Sequence, residues 1–293
     1  MPTNMKYRLY LVLFSSIASL PFWVLYAFSD VLYLVLYHIV HYRRSTVRAN
    51  LTASFPDMNM AQLIEVEKEF YHHLCDIIFE TVKLLRISDK EIDKRVVVED
   101  AQIIENAAKA NQAIILYIGH YCNWEWVTAI TRHYRLPELS CQIYKPLRNV
   151  AFDKLMLKIR SRFGSMSIPQ KKTLRAMLKL RSENASFIAG FISDSRPNSK
   201  DTHEETVFLG QPTTFSPGGE AIGNKMNATF LYLDMEKTAR GHYKLMVKPI
   251  IPQDMSVAYP YTREYFNMLQ KTIERQPAYW LWSHKRWLFN AKQ

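Results

Sequence analysis

Between Arg8 and Asp30 the chain runs 21 residues without a charge, LYLVLFSSIASLPFWVLYAFS. Soluble helices rarely go that far uncharged, and at about 1.5 Å per residue the segment can cross a hydrocarbon core of about 30 Å. Tyr10, Trp23 and Tyr26 suit its interfacial ends. A second apolar stretch, Val31 to Val40, is too short to span alone and is expected in the interface or docked on the domain. Ser16-Ile17-Ala18 offers a small-x-small cleavage pattern, but the apolar run continues past Ala18, which argues against a removed leader. Pro21 can kink the segment or make it re-entrant. Arg43, Arg44 and Arg48 favour a cytoplasmic location for the rest of the chain, while Lys6 and Arg8 leave open a re-entrant path with both ends on that side. The expected organisation is a membrane anchor and interfacial segment over residues 1–42 and one folded domain over residues 43–293.

The domain's pattern alternates between two periods. From Met60 to Leu85, Leu63, Val66, Phe70, Leu74, Ile77, Ile78 and Val82 recur at three to four, as on one helix face. Ala113 to Ile118 (AIILYI) is an apolar run of buried-strand type, and Val96–Val98, Ser140–Tyr144, Ala185–Phe191, Ala228–Leu233 and Tyr243–Ile250 are further strand candidates. Helices are expected at Ala101–Ala110, Asn123–His133, Asn149–Phe163, Thr173–Arg181 and Glu264–Arg275, and another opens near Glu220 after a loop, Thr214–Gly219. Strands alternating with helices imply an α/β fold with a mostly parallel central sheet flanked by helices.

With 38 Lys and Arg against 27 Asp and Glu, the net charge of +11 draws polyanions, whether an anionic membrane surface, an acidic partner or nucleic acid. Cys75, Cys122 and Cys141 show neither CxxC nor metal-ligand spacing and read as reduced structural thiols. GxGxxG, Walker and GxSxG patterns are absent, which disfavours nucleotide chemistry and a serine nucleophile on an elbow.

The chemistry concentrates at ends of predicted strands, where open α/β sheets bind ligands. In IGHYCNWEW, Ile118 to Trp126, His120 comes after a buried strand and Glu125 falls in the first turn of the next helix. There Glu125 can point back at the imidazole, fix its tautomer and raise the basicity of the other nitrogen, which then takes a proton from an attacking hydroxyl. A loop histidine beside a helix-capping glutamate is the plainer alternative. Lys145 and Arg148 in IYKPLRN are two cations at the same edge, suited to an anionic group or to solvated surface, with Arg160 and Arg162 further along the next helix. Asp194, after another strand, is placed to pair with an arginine. The polar stretch from Ile192 through Lys200 to Glu205 reads as a loop suited to a lid. Near the carboxyl end, QPAYWLWSHKRW, Gln276 to Trp287, mixes aromatics with cations as a membrane interface or a base-stacking surface does.

Taken in order, these pieces resemble the lipid A secondary (late) acyltransferase family, within the lysophospholipid acyltransferase-like superfamily. The resemblance runs over nearly the whole chain: the apolar amino terminus, YRRSTVRANLTASFPDM (Tyr42–Met58), GHYCNWE, YKPLRN with Arg160 and Gly164, the Asp194 region, FLGQPTTFSPGG (Phe208–Gly219) and PAYWLWSHKRW. It implies a bacterial inner-membrane enzyme, catalytic domain on the cytoplasmic face, that moves an acyl chain from acyl carrier protein to a hydroxyl of a lipid A precursor. His120 and Glu125 match the family's H-x4-D/E pair, Arg160 and Asp194 fall where it keeps charged residues near the site, and Lys145 and Arg148 are the candidate holders of acceptor phosphate. The implied partners are acyl carrier protein, a lipid acceptor and the membrane, without nucleic acid, metal or cofactor. Two positions depart from the family pattern, Lys145 for an arginine and Asp194-Ser195 for Asp-Gln, and both bear on the acceptor. A relative acylating a lysophospholipid or a hydroxylated aminolipid has much the same sequence. A non-enzymatic basic membrane-surface protein explains the charge but gives His120 and Glu125 no task.

Overall fold

Ala113–Ile118, the most apolar of the strand candidates, lies at the centre of a seven-stranded sheet with every residue buried. The computed structural model describes residues 3–110, 113–134, 139–198 and 203–287. In chain order it begins with α1 (Thr3–Ser19), α2 (Phe22–Leu34), a π-helical turn (Val35–Ile39), α3 (Arg44–Ser54), α4 (Met60–Lys83) and α5 (Asp89–Arg95). The α/β body comes next: β1 (Val96–Glu99), α6 (Ala101–Ala110), β2 (Ala113–Ile118), a 3-10 helix (Trp126–Arg132), β3 (Leu139–Tyr144), α7 (Val150–Arg160), β4 (Met166–Pro169) and α8 (Thr173–Ser182). The chain continues through β5 (Phe187–Ile192), β6 (Glu204–Phe208), β7 (Gln211–Phe215), α9 (Gly218–Met226), β8 (Thr229–Ala239), β9 (His242–Pro249) and α10 (Pro260–Arg275).

The sheet order is β1-β9-β8-β2-β5-β3-β4. Every neighbouring pair is parallel except the β8–β9 hairpin, so the α/β expectation holds. Parallel strands are covered on both faces, which is why β2 and β5 read as continuous apolar runs. Helix α4 starts at a capping box, in which Asn59 Oδ1 accepts from Gln62 N–H and Gln62 Oε1 accepts from Asn59 N–H.

Three expectations change. The uncharged Leu9–Ser29 segment is not one helix: α1 stops at Ser19 and α2 starts at Phe22, because Pro21 has no N–H to donate and takes an extended ψ of 155°. The helix expected at Asn123–His133 is a 3-10 helix over Trp126–Arg132. There the hydroxyls of Thr128 and Thr131 bond carbonyls three residues back and the β-branched Val127, Thr128, Ile130 and Thr131 crowd an α turn. The polar stretch up to Glu205 and the loop from Thr214 conceal an antiparallel hairpin, β6–β7, turned by Leu209 at φ 51° and Gly210 at φ 71°. Two successive positive φ values fit the twist of a two-residue hairpin turn. Residues 199–202 of the stretch read as a lid lie outside the described residues.

Candidate active site

Strands β2 and β5 are adjacent and parallel, with Ile118 opposite Ile192. His120 and Asp194 each stand two residues beyond that pair, so the sheet register itself brings them together at its carboxyl edge. Asp194 Oδ1 lies 2.7 Å from His120 Nδ1, and Asp194 Oδ2 accepts the His120 backbone N–H at 2.8 Å. The same oxygen accepts the Trp280 indole N–H at 2.8 Å. Asp194 is buried, and burial alone would raise its pKa. The His120 charge and these three hydrogen bonds prevail and hold it down at about 2. For His120, burial pulls toward the neutral ring, but the Asp194 charge and hydrogen bond, aided by the Glu125 charge, raise its pKa above the ordinary value. With Nδ1–H given to Asp194, the other ring nitrogen is the basic one.

Glu125 does not reach the histidine ring as its acceptor. Its carboxylate takes Arg160 Nε at 2.8 Å and Arg160 Nη2 at 2.5 Å, a two-point pair between mostly buried side chains. The sequence expectations for Glu125 and Asp194 are therefore exchanged: Asp194 holds the histidine and Glu125 holds the arginine. The reason is topological. The loop from Tyr121 to Asn123 is tied down toward α4 and the carboxyl end, which turns Glu125 away from the ring and toward the end of α7. Asn123 donates to Glu80 Oε2 at 2.7 Å, Trp126 Nε1 donates to the Glu80 carbonyl at 2.9 Å, and Tyr243 donates to Glu80 Oε2 at 2.7 Å.

The carboxyl-terminal aromatics are neither at an interface nor open to bases. Trp280, Trp282 and Trp287 are buried, and Trp280 bridges Tyr121 in antiparallel fashion behind the His120 loop. Cys122 N–H bonds the Tyr279 carbonyl and Leu281 N–H bonds the His120 carbonyl, so this segment is the back wall of the site. Among the residues missed from the sequence, Glu80 gave the signal of a carboxylate on the apolar face of α4, and Trp280 none beyond its aromatic setting. The buried Cys122 thiol is pushed up by burial, which removes it as a nucleophile.

A cavity of about 660 Å³ opens beside His120. Val127, Ile130 and Ile188 contribute apolar wall, and Glu125, Arg160 and Lys145 contribute charge. Arg148 does not line it and stands exposed next door. Among the described residues no cluster of three His, Cys, Asp or Glu is placed to hold a metal ion.

A histidine–carboxylate pair at the carboxyl edge of a largely parallel sheet, beside a partly apolar cavity, is the arrangement of an α/β enzyme. Residues 1–289 match the family model described as bacterial lipid A biosynthesis acyltransferase. The chain belongs to that family, and it is an acyltransferase of lipid A biosynthesis. No curated protein matches it.

Proposed function

We propose that the enzyme transfers a fatty acyl chain from acyl carrier protein to a hydroxyl of a lipid A precursor, with His120 as general base, at the cytoplasmic face of a bacterial inner membrane. The observation that carries this reading is the Asp194–His120 hydrogen bond of 2.7 Å at the wall of the cavity.

His120 Nε2 takes the proton of the acceptor hydroxyl as its oxygen attacks the thioester carbonyl carbon. Asp194 keeps the proton on Nδ1 and stabilises the imidazolium as it forms. The tetrahedral oxyanion collapses, the carbon–sulfur bond breaks, and the leaving thiolate takes the proton back from the imidazolium. Arg160, at the cavity wall and fixed by Glu125, is the cation we place beside the developing oxyanion. The Val127–Ile130–Ile188 wall suits the acyl chain, and Lys145 suits acceptor phosphate. The basic balance of +11 suits an acidic carrier protein.

The test is turnover of the purified full-length enzyme with acyl carrier protein thioester and a lipid A precursor. Transfer that disappears in His120→Ala supports the reading. Transfer by that variant at the wild-type rate removes it. If only a lysophospholipid or a hydroxylated aminolipid accepts the chain, the acyl-transfer chemistry stands and the acceptor is reassigned.

A further inference from the structure

Of the amino-terminal region, Phe22–Ile39 is apolar and long enough to cross a membrane. Its contacts say otherwise. Helix α2 lies antiparallel along α4 and meets it turn by turn: the Tyr33 ring stacks on His72 at 3.5 Å between centroids, Ser29 Oγ donates to Asp76 Oδ1 at 2.7 Å, and Tyr26 OH donates to Glu80 Oε1 at 3.1 Å. Next along α4, Lys83 Nζ donates to the Ala18 and Leu20 carbonyls at 2.9 and 2.6 Å, across the break at Pro21. These partners on α4, from His72 to Lys83, span about 16 Å of helix axis. That is more than half the thickness of a hydrocarbon core. A perpendicular α2 would carry Asp76, Glu80 and Lys83 to successive depths in lipid, where ionisable groups are strongly disfavoured. Glu80 also holds Asn123 and Tyr243, so the His120 loop and β9 would go with it.

The outward face of the same helices is apolar. Leu9, Val12 and Leu13 on α1 and Trp23, Phe28, Val31 and Leu34 on α2 are all about half exposed or more. Lys6 and Arg8 stand exposed at the start of α1. Helix α1 also flanks the cavity mouth: Asn149 donates to Tyr10 OH at 3.4 Å, and the adjoining Leu147, which lines the cavity, and Val150 are exposed apolar side chains.

From this we infer that α1 and α2 do not cross the bilayer but lie in the plane of one leaflet, apolar faces inserted at the headgroup boundary. The cavity then opens at its mouth toward the same lipid surface, and the amino terminus stays on the side of the domain. The occupant of the apolar face is an anionic lipid leaflet rather than a second copy: a broad aliphatic face carrying a Trp and flanked by cations matches headgroup and acyl layers together.

The measurement is label depth. Full-length protein carrying one added cysteine at Leu13, Ala27 or Val31 is spin-labelled and bound to phosphatidylethanolamine–phosphatidylglycerol vesicles; the native cysteines are buried. All three labels should sit at shallow depth, about 5–10 Å into the boundary region. Cysteines at Thr3 and Lys109 should react with an impermeant maleimide from the same side. A label at the bilayer midplane, Thr3 on the opposite side, no vesicle binding, or labels shielded in a lipid-free dimer each overturn the inference. A Trp23→Glu, Val31→Glu variant, altered only at exposed positions, should lose about tenfold or more in vesicle partitioning while keeping its melting temperature. Depth is read without turnover, so its failure leaves the acyl-transfer reading standing.

Discussion

Asp194 grips His120 at two points, the ring nitrogen Nδ1 at 2.7 Å and the backbone N–H at 2.8 Å. One contact sets the direction and tautomer of the imidazole; the other fixes the loop that carries it. Trp280 closes the arrangement by donating to the same carboxylate, and with three hydrogen bonds on it the aspartate has little freedom to leave the histidine.

Asp194→Asn keeps the shape and removes the charge. A base acts when neutral, so transfer should rise with pH through the His120 pKa, which lies above the ordinary 6.5. In the variant the main raising influence is gone while burial remains, so the acid limb should move to lower pH. The plateau should also fall by about 10² or more, since the tautomer is no longer held. A pH series of kcat/KM checks this; a lower plateau with an unmoved limb would assign Asp194 to structure alone.

His120→Ala should lower kcat by about 10²–10⁴. The buried Asp194 carboxylate then loses its ring partner and keeps only the His120 backbone N–H and the Trp280 indole, so the melting temperature should fall as well. Single-turnover assays on the folded variant measure the first, calorimetry the second.

Glu125 and Arg160 form a pair in which neither partner tolerates being left alone. Glu125→Ala leaves a mostly buried guanidinium without its anion, a loss of about 3–5 kcal/mol in stability. Activity should fall with it, through a displaced Arg160 rather than a disoriented His120. The pH limb separates the two causes, because Glu125 raises the His120 pKa only secondarily and the Asp194 bond survives. In Glu125→Ala the limb should move less than in Asp194→Asn, and Glu125→Gln should recover part of the stability lost.

The sheet was legible because buried parallel strands need unbroken apolar runs, and Ala113–Ile118 and Phe187–Ile192 supply them. His120 was legible for the same reason: it stands just past such a run. Its partner was not. A spacing of four residues suggested Glu125, whereas the partnership depends on β2 and β5 being neighbours, a fact of strand order that no local pattern carries. The β6–β7 hairpin was hidden because its turn uses Leu209 with Gly210, and a leucine at positive φ is not a turn signal. At the amino terminus, composition showed an apolar segment, but only the Ser29–Asp76 and Tyr26–Glu80 bonds reveal that α2 has a polar lining shared with the domain.

Lys145 and Arg148 decide the question of the acceptor. If they hold a phosphate of the acceptor, a Lys145→Gln, Arg148→Gln variant should raise the KM for a phosphorylated lipid A precursor by about tenfold or more, the equivalent of about one charge-assisted hydrogen bond. The KM for the carrier-bound donor should change less. Both cations are exposed, but only Lys145 lines the cavity, with Arg148 beside it. Lys145→Gln alone should therefore carry most of the effect. Titrating each substrate separately against wild type, both single variants and the double variant measures this. An unchanged acceptor KM in the double variant would place the phosphate elsewhere on the cavity rim. An acceptor without phosphate used as well as the lipid A precursor would shift the assignment to another hydroxylated lipid, in line with lysine rather than arginine at 145.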